Sequence, residues 1–377
     1  MTTDNSGIRH QQHTHEGSMN DELQRAHHAI NLYAPEIVRV SLALFDSQHC
    51  RLTTYAHSTL EGQPLLHYSA PITASSKLGQ HICRRKPRVI NDIPSTVTDS
   101  STHSHWLLEQ GYLASLTIPV LDHEQFTGLL FLDANQPQYF DSATVAELSA
   151  CTHQLGQVIN EQQAGIQAMS QMGYSVRSTH FEHPEESLDH AYRVGQYARL
   201  IALEVSELYQ LNDETISHIV HFAELHDIGK YSSLSSRTNS PWLQDCSNNL
   251  VMIGQIQQGL NLVNQLASQI HQQQYAYMDL LKDIIQYHHE YLDGSGAPNG
   301  LSHGDIPVAA RIVTVANIFD ALTSNRHYSE AWSLTHALLE LEKMVALGKL
   351  DGNCVHALRC QQDAVGIIMQ SHHIPWH

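Results

Sequence analysis

Apolar positions alternate with polar ones in the first 160 residues and recur at three and four spacing in the rest, so the chain reads as two parts. In "EIVRVSLALFD", Glu36 to Asp46, Val38, Val40, Leu42 and Leu44 alternate with Arg39, Ser41 and Ala43, the period of a strand. "RLTTYAHS" follows after a short polar turn and predicts its pairing partner. "ASLTIPVL" and "TGLLFLDA", separated by "DHEQF", predict a hairpin-like pair, and "SSKLGQHICRRK" before them has helix character. A long helix then starts after Asp141 as N-cap, with Phe140 and Val145 spaced for a hydrophobic staple. Val145, Leu148, Leu155, Val158 and Ile159 mark one face of it.

The helix runs on through "GQVINEQQAGIQAMSQMG", where Ile159, Ile166 and Met169 keep a stripe that Gly156 and Gly165 interrupt. Such a stripe serves equally a parallel helix pair between two protomers or packing against its own chain. From about residue 176 strand signals vanish. "LDHAYRVGQYARLIALEVSELY", "DETISHIVHFAELHDIG", "VMIGQIQQGLNLVNQLASQI", "YMDLLKDIIQYHHE" and "VAARIVTVANIFDALTS" all carry the helical period, which predicts a bundle. The expectation is therefore multidomain. It places a disordered polar tail over residues 1–20, an α+β domain over 21–163, a helical linker over 164–175 and an all-α domain over 176–377.

Composition narrows the classes. The net charge of −18 makes the chain a poor general binder of DNA or an anionic membrane. Any positive charge for a phosphate-bearing ligand must be local. No run of about 18 apolar residues predicts a membrane span, and the N-terminus has no apolar signal core. Six scattered cysteines without a CxxC pair fit free thiols in the cytoplasm. The 29 histidines weaken any argument from a single one.

Grouped histidines carry more. His226 and Asp227 are adjacent at the end of an apolar helical run, with Gly229 and Lys230 just after. Glu186 precedes His190 by one helical turn, so both face one way. His288 and His289 end another helix. Imidazoles and carboxylates at several helix ends can converge on a metal cluster in a bundle. Iron, manganese, zinc and nickel all suit such ligands, and the two oxygens of Asp227 could bridge two cations.

Over roughly residues 21–163, "SSKLGQHICRRKPRVINDI", "ASLTIPVL" and "TGLLFLDANQPQYFDSATVAELSA" resemble a GAF domain. The resemblance implies a sensory module with an unknown small ligand, or a purely structural dimerisation domain. "ELHDIGK", "HHEYLDGSGAPNGL" and "ARIVTVANIFDALTSNRHYSEA", in that order, resemble the HD-GYP family over residues 176–345. That resemblance implies a phosphodiesterase that hydrolyses cyclic di-GMP or a related cyclic dinucleotide with one to three divalent ions. It also implies a homodimer and a GGDEF-type signalling partner. By the same resemblance Glu186, His190, His226, Asp227, His288 and His289 are metal ligands, Asp227 and Lys230 serve catalysis, and Lys230 and Arg326 hold phosphate.

Four positions depart from that pattern. Ala297 replaces the tyrosine of Gly-Tyr-Pro, Gln255 a metal histidine, Asn317 a metal aspartate and Ser329 a basic residue. His271 is a stand-in candidate for the lost imidazole. Two main functions stay open: a cyclic-dinucleotide phosphodiesterase regulated by the first domain, or a degenerate relative that binds nucleotide or protein without turnover; hydrolysis of a different phosphoester is a third. The intact "HDIGK" and "HHE" favour the first, and the four departures favour the second.

Overall fold

The structure, a computed structural model, describes residues 17–47, 49–73, 77–180, 184–231, 244–269, 277–324 and 331–371. Side chains at 77, 179–180, 184–187, 231, 244–249 and 269 are likewise outside the description. The chain divides into two units, Glu16–Ala164 with Asn212–Glu214, and Gly165–Leu211 with Thr215 onward. Among the described residues no helix is long and apolar enough to cross a membrane.

The first unit opens with α1 (Met19–Asn31), capped by the Ser18 hydroxyl, which accepts from the Asp21 amide. Then come β1 (Ile37–Asp46), β2 (Arg51–Thr59), β3 (Ser69–Pro71), α2 (Lys77–Arg84) and β4 (Arg88–Ile90). Two short helices, α3 (Ile93–Thr96) and α4 (Thr102–Glu109), precede β5 (Ala114–Asp122) and β6 (Gln125–Ala134). The six strands form one antiparallel sheet in the order β3-β2-β1-β6-β5-β4. Both predicted strand pairs are present, and α2 lies where helix character was read.

Central β1 is buried on both faces, and its register corrects the simple alternation. A bulge between Ile37 and Arg39 breaks the pairing with β6. Ile37, not Val38, therefore joins Val40 and Leu42 in the main core, while Val38 packs with Ile93, Leu107 and Tyr112. On the polar face of β1, Arg39 donates to Asp133 at 2.5 Å, with the two side chains 5% and 1% exposed.

Helix α5 (Ser142–His180) is continuous over 39 residues. Asp141 caps it, its carboxylate accepting from the Thr144 amide at 2.8 Å. Leu148, Leu155 and Ile159 fill the first core, and Met169 is buried in the core of the helical unit. Residues 164–175, expected as a helical linker, are part of this helix, and Met169 within them is buried. The expected tail is shortened: α1 is already helical at Met19 and Asn20, while residues 1–16 lie outside the description.

The helical unit continues with α6 (Pro184–Glu204), α7 (Ser206–Tyr209), α8 (Asp213–Ala223), a 3-10 turn (Ile228–Tyr231) and α9 (Gln244–Gln269). After α10 (Met278–Tyr287) come α11 (Val308–Thr323), α12 (Leu334–Ala346), α13 (Gly352–Cys360) and α14 (Gln362–Met369). Tyr197, Phe222, Ile228, Leu281, Ile284 and Phe319 are almost fully buried in one core. This core fixes the ends of α8 and α10 and the faces of α6 and α11, the four places that supply the candidate site.

The Arg39–Asp133 pair gives a first prediction. Asp133→Ala leaves a buried guanidinium without its carboxylate and should destabilise the first unit by about 3–5 kcal/mol. Arg39→Met with Asp133→Leu should lose much less. Urea unfolding followed at Trp106, with Trp242, Trp332 and Trp376 replaced by Phe, measures both; equal losses would refute the assignment.

Candidate metal centre

The chain turns sharply after α8, and His226 and Asp227 occupy that turn just before the 3-10 helix. Gly229 is required there. A Cβ at this position would collide with the Gln255 carbonyl oxygen and the Gly259 amide nitrogen, so the turn lies directly against the backbone of α9. His288 is the C-cap of α10, and His289 follows it. His190 projects from α6.

Each of three imidazoles is oriented through its Nδ1. His226 Nδ1 lies 2.7 Å from the Ala223 carbonyl oxygen, and His288 Nδ1 lies 2.9 Å from that of Ile284. His190 Nδ1 lies 2.7 Å from Asp320 Oδ2. Carbonyls only accept, and an ionised carboxylate only accepts, so each Nδ1 carries the proton. Burial pushes both His226 and His288 below the ordinary imidazole value. They are neutral, and their Nε2 atoms carry lone pairs.

Those lone pairs face a carboxylate. His226 Nε2 lies 3.1 Å from Asp227 Oδ2, and His288 Nε2 lies 3.4 Å from Asp227 Oδ1. Neither Nε2 has a hydrogen-bond partner, though both are buried. Acceptors turned on one another in a dry site repel unless a cation lies among them. Burial opposes charge on Asp227, yet the Lys230 ammonium, 2.5 Å from Oδ2, holds its carboxyl well below the usual range.

The donor atoms of His190, His226 and Asp227 lie within 4.8 Å of one another, as do those of Asp227, His288 and His289. Asp227 belongs to both groups. Burial, then the neighbouring His288, pushes His289 down to about 2. The donor set of neutral imidazoles around one carboxylate fits divalent transition metals.

The other expected residues divide. Gln255 lines the same small recess as His226, Asp227, Lys230, His288 and His289. Asn317 lies on α11, one turn before Asp320. Glu186 is in the first turn of α6, but its side chain lies outside the description, as do Arg326, Ser329 and His271. Ala297 is buried in the loop after α10. Glu290, beside the double histidine, is turned into that loop, accepting from the Asn299 and Leu301 amides at 2.6 and 3.0 Å. Gly296 lies so close to Glu290 and Tyr291 that a Cβ would strike their backbone.

Asp320 and Arg193 were not singled out by spacing. The Asp320 carboxylate accepts from His190, from Arg193 Nε at 2.6 Å and from Arg193 Nη2 at 3.1 Å. A signal existed: His190 and Arg193 are three apart on a helix and so share a face. The acid they both meet comes from a helix about 130 residues away.

Residues 32–159 match the GAF domain family, and residues 186–354 match the HD domain family. The chain joins a GAF domain to an HD domain. It is similar to a 3'3'-cGAMP-specific phosphodiesterase of Vibrio cholerae, 32% identical over 144 residues, covering 38% of this chain and 26% of that protein. A cyclic di-GMP phosphodiesterase response regulator of Xanthomonas campestris is 38% identical over 155 residues, 41% of this chain and 39% of that protein. A cyclic di-GMP phosphodiesterase of Thermotoga maritima is 31% identical over 159 residues, 42% and 40% of the two chains. The matched part therefore spans between 26% and 40% of these relatives.

In the HD domain, Asp320→Asn should weaken metal binding about 10- to 100-fold by removing the charge that fixes His190. Titration of the metal-free protein with manganese or zinc measures it. Unchanged affinity would separate Asp320 from the centre. Gly229→Ala should lower metal content as well, because the added methyl must push the turn bearing Asp227 away from α9.

Proposed function

We propose that the HD domain is a metal-dependent phosphodiesterase of the HD-GYP kind, that its substrate is a cyclic dinucleotide, cyclic di-GMP or 3'3'-cGAMP, and that the GAF domain controls it through a small ligand. The observation that carries this reading is the buried Asp227 carboxylate facing the unprotonated Nε2 atoms of His226 and His288. The relatives named as phosphodiesterases for these dinucleotides support the substrate class.

In this reading His190, His226, Asp227, His288 and His289 hold the metal, with Glu186 as a further ligand; iron, manganese, nickel or zinc fits, as one to three ions. Bound ions supply Lewis acidity, lowering the pKa of a water and neutralising charge on phosphoryl oxygens. Asp320 keeps the proton of His190 on Nδ1 and so keeps Nε2 available. Lys230, whose side chain is 38% exposed, reaches solvent from its partner Asp227 and offers an ammonium to an incoming phosphate. Arg326 gives a second cationic contact. In a chain of net charge −18, these local cations are what allow an anionic substrate to dwell. The homodimer, the GGDEF-type partner and a cytoplasmic location belong to the same reading.

A second reading, nucleotide or protein binding without turnover, rests on Gln255, which puts a neutral amide into the recess where the family has an imidazole. Metal content per chain, measured together with cyclic di-GMP and 3'3'-cGAMP hydrolysis, separates the two. Bound metal with product supports the enzyme; tight nucleotide binding without product supports the sensor. Asp227→Ala should lose most of the metal and all turnover, since both donor groups share that carboxylate.

Gln255→His with Asn317→Asp should raise metal content first and turnover second, with each single change doing less than the pair. A folded double variant with no more metal than the native protein would remove both positions from the centre.

A further inference from the structure

The GAF domain encloses a cavity of about 480 Å³ beside the Arg39 and Ser41 face of β1. That size suits a small organic ligand. Four charged side chains line it, namely Arg39, Arg88, Asp133 and Asp213. Three have partners. Asp133 takes the Arg39 guanidinium at 2.5 Å. Asp213 takes the His67 ring at 2.6 Å and the Thr54 hydroxyl at 2.7 Å.

Arg88 is the exception. It begins β4, pairs through its backbone with Thr117 and is partly buried. Among the described residues its guanidinium makes no hydrogen bond or ion pair. Burial alone lowers it from the ordinary arginine value, with no carboxylate to offset the effect. Two further polar atoms of the lining, Arg39 Nε and Ser41 Oγ, are buried without a partner. Beside them the wall is aromatic: His103 has its ring 6.1 Å from Tyr68 and 6.2 Å from Phe131. Burial keeps His103 below the usual imidazole value, so it adds ring surface rather than charge.

We propose that this cavity binds a small ligand bearing one anionic group, a carboxylate or a phosphate, which pairs with Arg88 while its apolar body lies among Tyr68, His103 and Phe131. The proposal rests on the reading of the GAF domain as ligand-controlled and names the chemistry of that ligand. A guanidinium presents two parallel donors, which either anion accepts, and the pair would give Arg88 the hydrogen-bonding partner that it lacks among the described residues.

The test uses the full chain with Trp106 as its only tryptophan, because that ring lies 6.0 Å from His103 and reports on this cavity rather than on the metal centre. The probes are 1-naphthoate, 1-naphthyl phosphate and the neutral 1-naphthamide, titrated at up to millimolar concentration. At least one anion should bind about tenfold more tightly than the amide, the effect of one charge-assisted pair. Which anion binds better identifies the group. Arg88→Met should abolish the preference and leave amide binding unchanged, and Arg88→Lys should keep part of it. Equal binding of amide and anions overturns the role of Arg88 but leaves a ligand-binding cavity. No binding of any probe overturns both the proposal and the ligand-controlled reading of this domain.

Discussion

The HD domain is organised around one electrostatic constraint: the carboxylate of Asp227 is buried against imidazole lone pairs. Those lone pairs exist because a backbone carbonyl takes the Nδ1 proton of His226 and another takes that of His288. Each carbonyl lies three or four residues before its histidine, at the end of α8 or α10. The helix ends thus do two things at once. They satisfy their own orphan acceptors and they aim the opposite ring nitrogen at Asp227. A neutral amide or an apolar residue at any of these positions would break the arrangement, and so would a helix ending one residue later.

The scaffold around this constraint is rigid where the ligands attach. The 3-10 turn bearing Asp227 lies against α9 with no side chain between, because Gly229 has none. His190 is held from behind by Asp320, which Arg193 in turn holds by two contacts. An acid that is 1% exposed would cost much free energy alone, but here three donors besides the solvent-excluded core satisfy it. The loop after α10 is closed by Glu290 on two backbone amides, so the residues after the double histidine are fixed by hydrogen bonds rather than by packing alone.

The GAF domain solves a related problem differently. Its central strand is covered on both faces, one by α1 and α5 and the other by a cavity whose mixed lining includes Arg39 and Ser41 beside apolar and aromatic side chains. Arg39 and Asp133 neutralise each other inside it, and the guanidinium also lies 4.7 Å from the centre of the Trp106 ring. Arg88, in the wall of the same cavity, is only partly buried and has no such carboxylate among the described residues.

The architecture was legible in the spacing of apolar residues. Period-two stretches became β1, β2, β5 and β6, the three-and-four pattern became helices, and Asp141 capped α5, because burial of alternating or one-sided apolar residues depends only on local spacing. The sequence also brought His190, His226, Asp227, His288 and His289 forward as a group. How they meet depends on the packing of the helices that carry them. That Asp227 belongs to two donor groups, that Asp320 from α11 fixes His190 on α6, and that Glu290 closes a loop instead of joining the imidazoles beside it are all contacts between distant segments. The bulge that exchanges Val38 for Ile37 in the core is likewise set by pairing with β6, about 95 residues on. Local spacing says which face a side chain takes on its own element; which partner stands opposite is fixed only when the elements pack.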